Sequence, residues 1–269
     1  MFLRIVPWLI LLFMGAAWGL SFSLAKIATQ EGGGAYGIAF WQATISAFIM
    51  YLVSLTRQPF KIEAGTFRLV MAVALLGAAI PSVLFYLAAA HLPAGILAIT
   101  TALVPVLTYS MAMPLGIEKA SVDRIVGIFL GWVAIIFLVV PKTSLPDPSA
   151  IPWVLLACMA SSCYAGENII LANKTLTKLG PIRLACGMNL FAALMLLPIT
   201  IILDGFIMPK FPLGKLEYVI FGLGLLNAAA YTLFVLTVQR FGPIFASQTG
   251  YVVTVSGVFW GIVIFREIH

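Results

Sequence analysis

Charge is what this sequence has least of. Asp, Glu, Lys and Arg make up 9% of the 269 residues and apolar types 62%, against roughly 25% and 45–50% in soluble domains. A soluble globule of this length keeps a large polar exterior, so the scarcity excludes a water-exposed fold. Histidine is nearly missing too. His91 and His269 stand at the ends of apolar runs, which excludes a His-x-x-x-His pair or a His cluster for metal. The three cysteines, Cys158, Cys163 and Cys186, fall inside apolar runs and read as small packing residues rather than a disulfide framework. There is no Gly-rich phosphate loop, so ATP is not expected to drive the protein. No Ser-His-carboxylate set occurs either, and the expectation is a non-enzyme without metal or cofactor. The formal charge of +6 fits Lys and Arg retained in cytoplasmic loops better than nucleic-acid binding.

What is present is long apolar runs. Nine of them, bounded by Pro, Gly and charge, predict spanning helices near 5–27, 36–54, 68–90, 94–115, 122–140, 150–172, 182–203, 216–238 and 243–265. Each covers about 20 residues, enough for a ~30 Å hydrocarbon core at 1.5 Å per residue. Barrel strands would be half that length and would alternate. The first run follows Arg4 like a signal peptide, but at about 23 residues it is long enough to span and reads as the first helix. The fold class is therefore all-α, a polytopic helical membrane bundle.

Loop charges set the orientation. With the N-terminus in the cytoplasm, the inner side collects Arg4, Arg57, Lys61, Arg68, Lys119, Arg124, Lys174, Lys178, Arg183 and Arg240. The outer side holds Lys26, Lys142, Lys210, Lys215 and Arg266. Ten against five is a positive-inside bias across both halves, and it predicts a multi-pass protein of the cytoplasmic (inner) membrane with its N-terminus inside.

The chain also repeats itself. Leu92–Glu118 aligns without gaps on Phe241–Glu267, setting His91 on Arg240 and Glu118 on Glu267 at a shift of 149. At shifts of 146 and 147, Trp18 falls on Tyr164 and Gln42 on Asn189. Glu118 ends the fourth run and Glu267 the ninth, so one unit contains five helices. Five is odd, and the second copy must insert upside down. The units are 5–140 and 150–269, two inverted five-helix repeats of the kind that place a substrate site near the midplane of secondary transporters.

With Trp18-Gly19-Leu20-Ser21-Phe22 and Lys26, Leu92-Pro93-Ala94-Gly95, Pro105, Gly116-Ile117-Glu118, Gly127 and Gly131 in this order, the chain resembles the EamA-type members of the drug/metabolite transporter superfamily. The resemblance implies a ten-helix carrier working by alternating access, usually exporting small metabolites. It also implies a tenth helix beyond Glu267, which the sequence does not include; truncation of the second repeat is expected rather than a nine-helix protein. The expected partners are a small-molecule substrate, with or without protons, and the bilayer, with the carrier a monomer or homodimer. A receptor, sensor or scaffold is the rival, and a lipid-acting enzyme a third reading; neither needs two oppositely inserted copies.

Charge within a span is informative because it is expensive. Lys26 and Arg240 lie near span ends, where their stems can snorkel. Glu167 lies inside the sixth run, next to Asn168. It reads either as a carboxylate for a proton or a cationic substrate group, or as a structural ion pair with Lys174, Arg183 or Arg240. Neutral polar and aromatic residues complete the candidate substrate site: Trp18, Ser21, Gln42, Tyr86, Thr101, Tyr164, Asn189, Asn227, Tyr231, Gln248 and Tyr251, with Tyr109 as a further polar aromatic. Such groups on an apolar wall suit a small-molecule cavity, while singly each also serves as an interhelical hydrogen bond. Gly15-x-x-x-Gly19, Gly127-x-x-x-Gly131 and Gly257-x-x-x-Gly261 read as close helix crossings. Pro81, Pro105 and Pro198 mark expected bends.

Overall fold

The computed structural model describes residues 2–57, 59–119, 121–122, 125–127, 129, 133, 148–203 and 205–267. Among them every regular element is helical, as a lipid-embedded backbone requires when each N–H and C=O must be satisfied within its own segment. Eight runs are long and apolar enough to cross a membrane. The helices are α1 (Phe2–Gln30), α2 (Ala35–Arg57), α3 (Ala64–Ala74), α4 (Ile80–Ala89), α5 (Ala94–Thr100), α6 (Leu103–Ala112), α7 (Ile151–Leu171), the short α8 (Lys174–Thr177), α9 (Pro181–Ile202), α10 (Lys215–Phe241), α11 (Pro243–Ser247) and α12 (Thr249–Phe265). The fifth expected span, 122–140, falls largely outside the described residues.

Three spans are composite. Ala64–Ala89 joins α3 and α4 through a π-turn at Leu75–Ala79. Ala94–Ala112 joins α5 and α6 across Thr101 and Ala102, and Pro243–Phe265 joins α11 and α12 at Gln248. At the repeat's shift of 149 Thr101 falls on Gly250, so these last two breaks sit at neighbouring places in the repeat. The ends follow from local chemistry. Gly180 and Gly242 adopt φ of 75° and 86°, a left-handed region that glycine enters without strain. Each precedes a proline that opens the next helix, a position where the missing N–H costs nothing. Pro93 gives α5 no side-chain cap, and the Glu267 carboxylate instead accepts from the N–H groups of Ala94 and Gly95 at 2.8 and 2.9 Å. A carboxylate at a helix N-terminus is favoured by the dipole as well as by the hydrogen bonds.

The directions of packed neighbours can be read from paired contacts. Gly15 faces Val252 and Gly19 faces Ser256 and Gly257, so α1 and α12 run the same way. Thr101 reaches Gly250 and Thr254 while Ala94 meets Glu267, so the α5–α6 span opposes α11–α12. Ser161 donates to Thr100 and Asn168 to Thr108, so α7 runs with α5–α6. It follows that α1 and α7 are antiparallel. His91 stacks on Trp153, Phe85 on Tyr164, and Gly77 abuts Glu167, which opposes α3–α4 to α7. At one end of the bundle Ile62 lies over Gly187, and at the other Ile207 lies over Gly37.

The pairing pattern has an exchange symmetry. Helix α1 packs on α12 and α10; α7 packs on α5–α6 and α3–α4; α2 packs on α10, and α9 on α3. Swapping α1 with α7, α2 with α9, α3–α4 with α10, and α5–α6 with α11–α12 turns each of these pairs into another of the set. The pairs α2·α9 and α5–α6·α11–α12, both packed, map onto themselves. Small residues bring the spans together: Gly15, Gly19, Gly224 and Gly257 each stand where a side chain would enter the neighbouring helix.

A central cavity as candidate substrate site

The two broken spans cross beside one cavity of about 850 Å³ of empty space, counting the part that opens outward. The walls come from both halves: Trp18, Ser21 and Phe22 of α1, Gln42 of α2, Ser82, Phe85 and Tyr86 of α4, Thr101 and Val104 around the first break. Opposite stand Tyr164, Glu167 and Asn168 of α7, Asn227, Tyr231 and Phe234 of α10, and Ala246, Ser247, Thr249, Gly250 and Val253 around the second break.

The aromatic part is built in two connected runs. Trp18 meets Tyr231 and Phe234 edge-on at 5.4 and 5.3 Å. Phe22 meets Phe85 edge-on at 5.1 Å, and Phe85 stacks on Tyr164 at 5.9 Å. Both geometries are those that ring quadrupoles favour. The polar part centres on Glu167, which is 1% exposed. The Tyr231 hydroxyl lies 3.0 Å from each of its carboxyl oxygens. The same hydroxyl donates to the Gly77 carbonyl. Pro81, four residues on, has no N–H to offer that carbonyl, so the π-turn presents an acceptor that a straight helix would have used. One hydroxyl proton therefore serves two acceptors, and all three can be satisfied at once when the carboxyl carries a proton and donates it to Tyr231. Among the described residues no ion pair joins Glu167 to Lys174, Arg183 or Arg240.

Tyr231→Phe leaves the Gly77 carbonyl and Glu167 without their shared partner. A loss of about 1–3 kcal/mol is expected for buried acceptors stranded in this way. It is measured as a lowered Tm of the detergent-solubilised protein, and an unchanged Tm would contradict the arrangement.

Ten of the thirteen residues singled out from the sequence line the cavity: Trp18, Ser21, Gln42, Tyr86, Thr101, Tyr164, Glu167, Asn168, Asn227 and Tyr231. Three stand off it. Asn189 sits one layer behind, donating to the Ala185 carbonyl and accepting from Asn227 at 3.1 Å. Gln248 forms the break itself and folds its amide back to the Ile244 carbonyl. Tyr251 is 43% exposed and faces away from the cavity. Thr249, Gly250 and Val253 hold the inward face of α12, and at about 100° per residue Tyr251 is carried round to the other side. Tyr109, one turn beyond Pro105, binds the Lys119 carbonyl instead. Sequence reading did not single out Ser82, Ser247 and Thr249 or the Phe22, Phe85 and Phe234 rings. For the first three the signal was available, since Pro81 and the Ser-Gln-Thr run mark the interruptions.

Thirteen chains of solved structures match this one in fold. One, described only as a crystal structure of a protein, is 16% identical, with a TM-score of 0.68, covering 96% of this chain and 89% of its own. At that identity the likeness speaks for the fold alone. Among curated proteins none matches. The model of the EamA-like transporter family matches residues 6–140 and again residues 151–268. Two successive matches covering nearly the whole length mean that this chain belongs to the EamA-like transporter family.

Proposed function

We propose that the protein is a secondary carrier moving small metabolites or drug-like solutes out across the cytoplasmic membrane by alternating access, with the central cavity as its substrate site and no chemical catalysis. The observation that carries this reading is the crossing of two spans, interrupted at neighbouring repeat positions, beside an aromatic and polar cavity. Paired interrupted helices at a midplane site are the hallmark of inverted-repeat transporters. The exchange symmetry of the helix pairs supports two inverted repeats, 5–140 and 150–269. The swapped helices α1 and α7 run in opposite directions, and a rotation that reverses a helix lying along the membrane normal has its axis in the membrane plane. In this scheme the substrate is held by the ten lining residues named above. Asn189, Gln248 and Tyr251 act around them rather than on the substrate. Glu167 holds a proton or a cationic group during the cycle, and the protein works as a monomer or homodimer.

Orientation is tested by labelling. Arg57 and Lys178 lie exposed towards the end of the bundle where Ile62 covers Gly187, and Lys210 lies exposed at the opposite end. With the N-terminus inside, an impermeant thiol reagent added to intact cells modifies Lys210→Cys and Lys142→Cys but not Arg57→Cys or Lys178→Cys. Modification of position 57 or 178 from outside would remove both the orientation and the inverted insertion.

A further inference from the structure

The cavity is one-sided in charge. Among the described residues Glu167 is its only acidic side chain, and no Lys, Arg or His lines it. Its unused hydrogen-bonding capacity includes buried acceptors. Asn168 is fully buried, and its Nδ2 donates to the Thr108 hydroxyl at 3.0 Å. That hydroxyl's own proton goes to the Val104 carbonyl at 2.7 Å, so Thr108 can only accept from Asn168. The amide orientation is thereby fixed, and Asn168 Oδ1 is a buried acceptor without a protein partner. Thr249, 2% exposed, also leaves its Oγ1 unpartnered, as does Gln42 its Oε1. Four backbone N–H groups at the two breaks are already spent on carbonyls of their own spans. The N–H groups of Thr101 and Val104 bond the carbonyls of Ala98 and Thr101, and those of Gln248 and Tyr251 bond Phe245 and Gln248.

We propose that the ligand of this cavity is a small organic cation that donates N–H hydrogen bonds, a primary or secondary ammonium or an amidinium, on an aromatic or branched apolar body. The inference rests on the carrier reading of the same cavity and names its substrate class. An anion entering here would lose its hydration with no cation to replace it. A cation meets Glu167 and the aromatic rings of Trp18 and Tyr231. The N–H groups separate this ligand from a quaternary ammonium, which satisfies the charge and the rings but leaves Asn168 Oδ1 and Thr249 Oγ1 bare. Stranding buried acceptors weakens binding by about tenfold or more.

Four probes sharing one body decide the matter: 2-phenylethylamine, its N-trimethyl quaternary form, 2-phenylethanol and 3-phenylpropionate, titrated by calorimetry into the full-length protein in lipid nanodiscs near neutral pH. The expected order puts the amine first, about tenfold or more ahead of both the quaternary form and the alcohol, with no saturable binding of the carboxylate. Glu167→Gln removes the preference for the amine over the alcohol. Thr249→Val, close in shape and carrying no charge change, narrows the gap between amine and quaternary form. Tight binding of 3-phenylpropionate, equal binding of amine and quaternary form, or binding of none of the four overturns the proposal. The carrier reading is scored separately, by two-sided access of a cysteine at position 82, so either can fail while the other stands.

Discussion

Glu167→Gln is expected to reach the membrane at normal levels and to lose pH-dependent transport. The wild-type carboxyl sits 1% exposed in the wall of the cavity, its hydrogen bonds made with a tyrosine rather than a cation. Two residues share its environment closely: Tyr231 of α10 at 3.0 Å and Gly77 of the π-turn, where an added Cβ would overlap the carboxylate. The other ionisable groups facing the same cavity are the phenols of Tyr86 and Tyr164. Glutamine keeps the shape and donates an N–H to Tyr231 as the protonated carboxyl does, yet it cannot bind or release a proton. In proteoliposomes loaded with a transported amine, wild-type flux should respond to an imposed pH gradient, and mutant flux should be the same with and without one. Mutant flux that follows the gradient as the wild type does would rule out coupling through this residue. Failure to accumulate, with loss of folding in detergent, would assign it a structural role.

Gly19→Leu is expected to disrupt the bundle itself. A Cβ at this position would stand 2.8 Å from the backbone nitrogen of Gly257 and against the Ser256 side chain. Backbone cannot step aside as a flexible side chain can, and the Ser256 hydroxyl is already fixed on the Gly15 and Val252 carbonyls at 2.8 Å. The helices α1 and α12 must therefore separate, and with them Trp18 shifts off Tyr231 and Phe234. Overpacking of this kind costs about 1–3 kcal/mol for added methylenes alone, and the loss of close helix approach adds to it. The check is the fraction of protein that remains monodisperse on gel filtration after mild heating in detergent. Gly127→Leu makes the contrast. Among the described residues a Cβ there meets nothing within 4 Å, so the same substitution should leave the elution profile unchanged. A Gly19→Leu protein as robust as Gly127→Leu would contradict the packing.

The contrast between these two motifs marks what the sequence could tell. Spacing of small residues identified Gly15, Gly19 and Gly257 as close-approach positions, because only a residue without a side chain lets two backbones meet in lipid. The same spacing at Gly127 carried no crossing that the described residues display. The spans themselves were legible because the bilayer demands about 20 apolar residues whatever the neighbours are. Their faces were harder to read. These helices are apolar on all sides, since lipid and protein interior are alike to a leucine, and a uniformly apolar helix carries no stripe that points inward. Tyr251 and Thr249 are two residues apart on one helix, and nothing in their composition says which of them faces the cavity. The repeat pairing with Gln42 favoured Asn189 over Asn227, yet Asn227 lines the cavity and Asn189 supports it from behind. The π-turn at Leu75–Ala79 had a local cause in Pro81. Its consequence, a carbonyl shared with Tyr231 beside Glu167, depends on a helix more than 140 residues away and is a product of tertiary packing.

A cysteine at position 82 tests the carrier reading most directly, because it requires no knowledge of the substrate. Ser82 lines the cavity from α4, and the natural thiols Cys158, Cys163 and Cys186 can be replaced by alanine. Right-side-out and inside-out membrane vesicles are then treated with a small impermeant thiol reagent. A carrier that opens its cavity in turn to each side of the membrane gives modification of Ser82→Cys in both preparations, and that is the result predicted here. Modification from one side only would mean a pocket that never changes its exposure, the behaviour of a receptor or scaffold, and would contradict transport through this cavity.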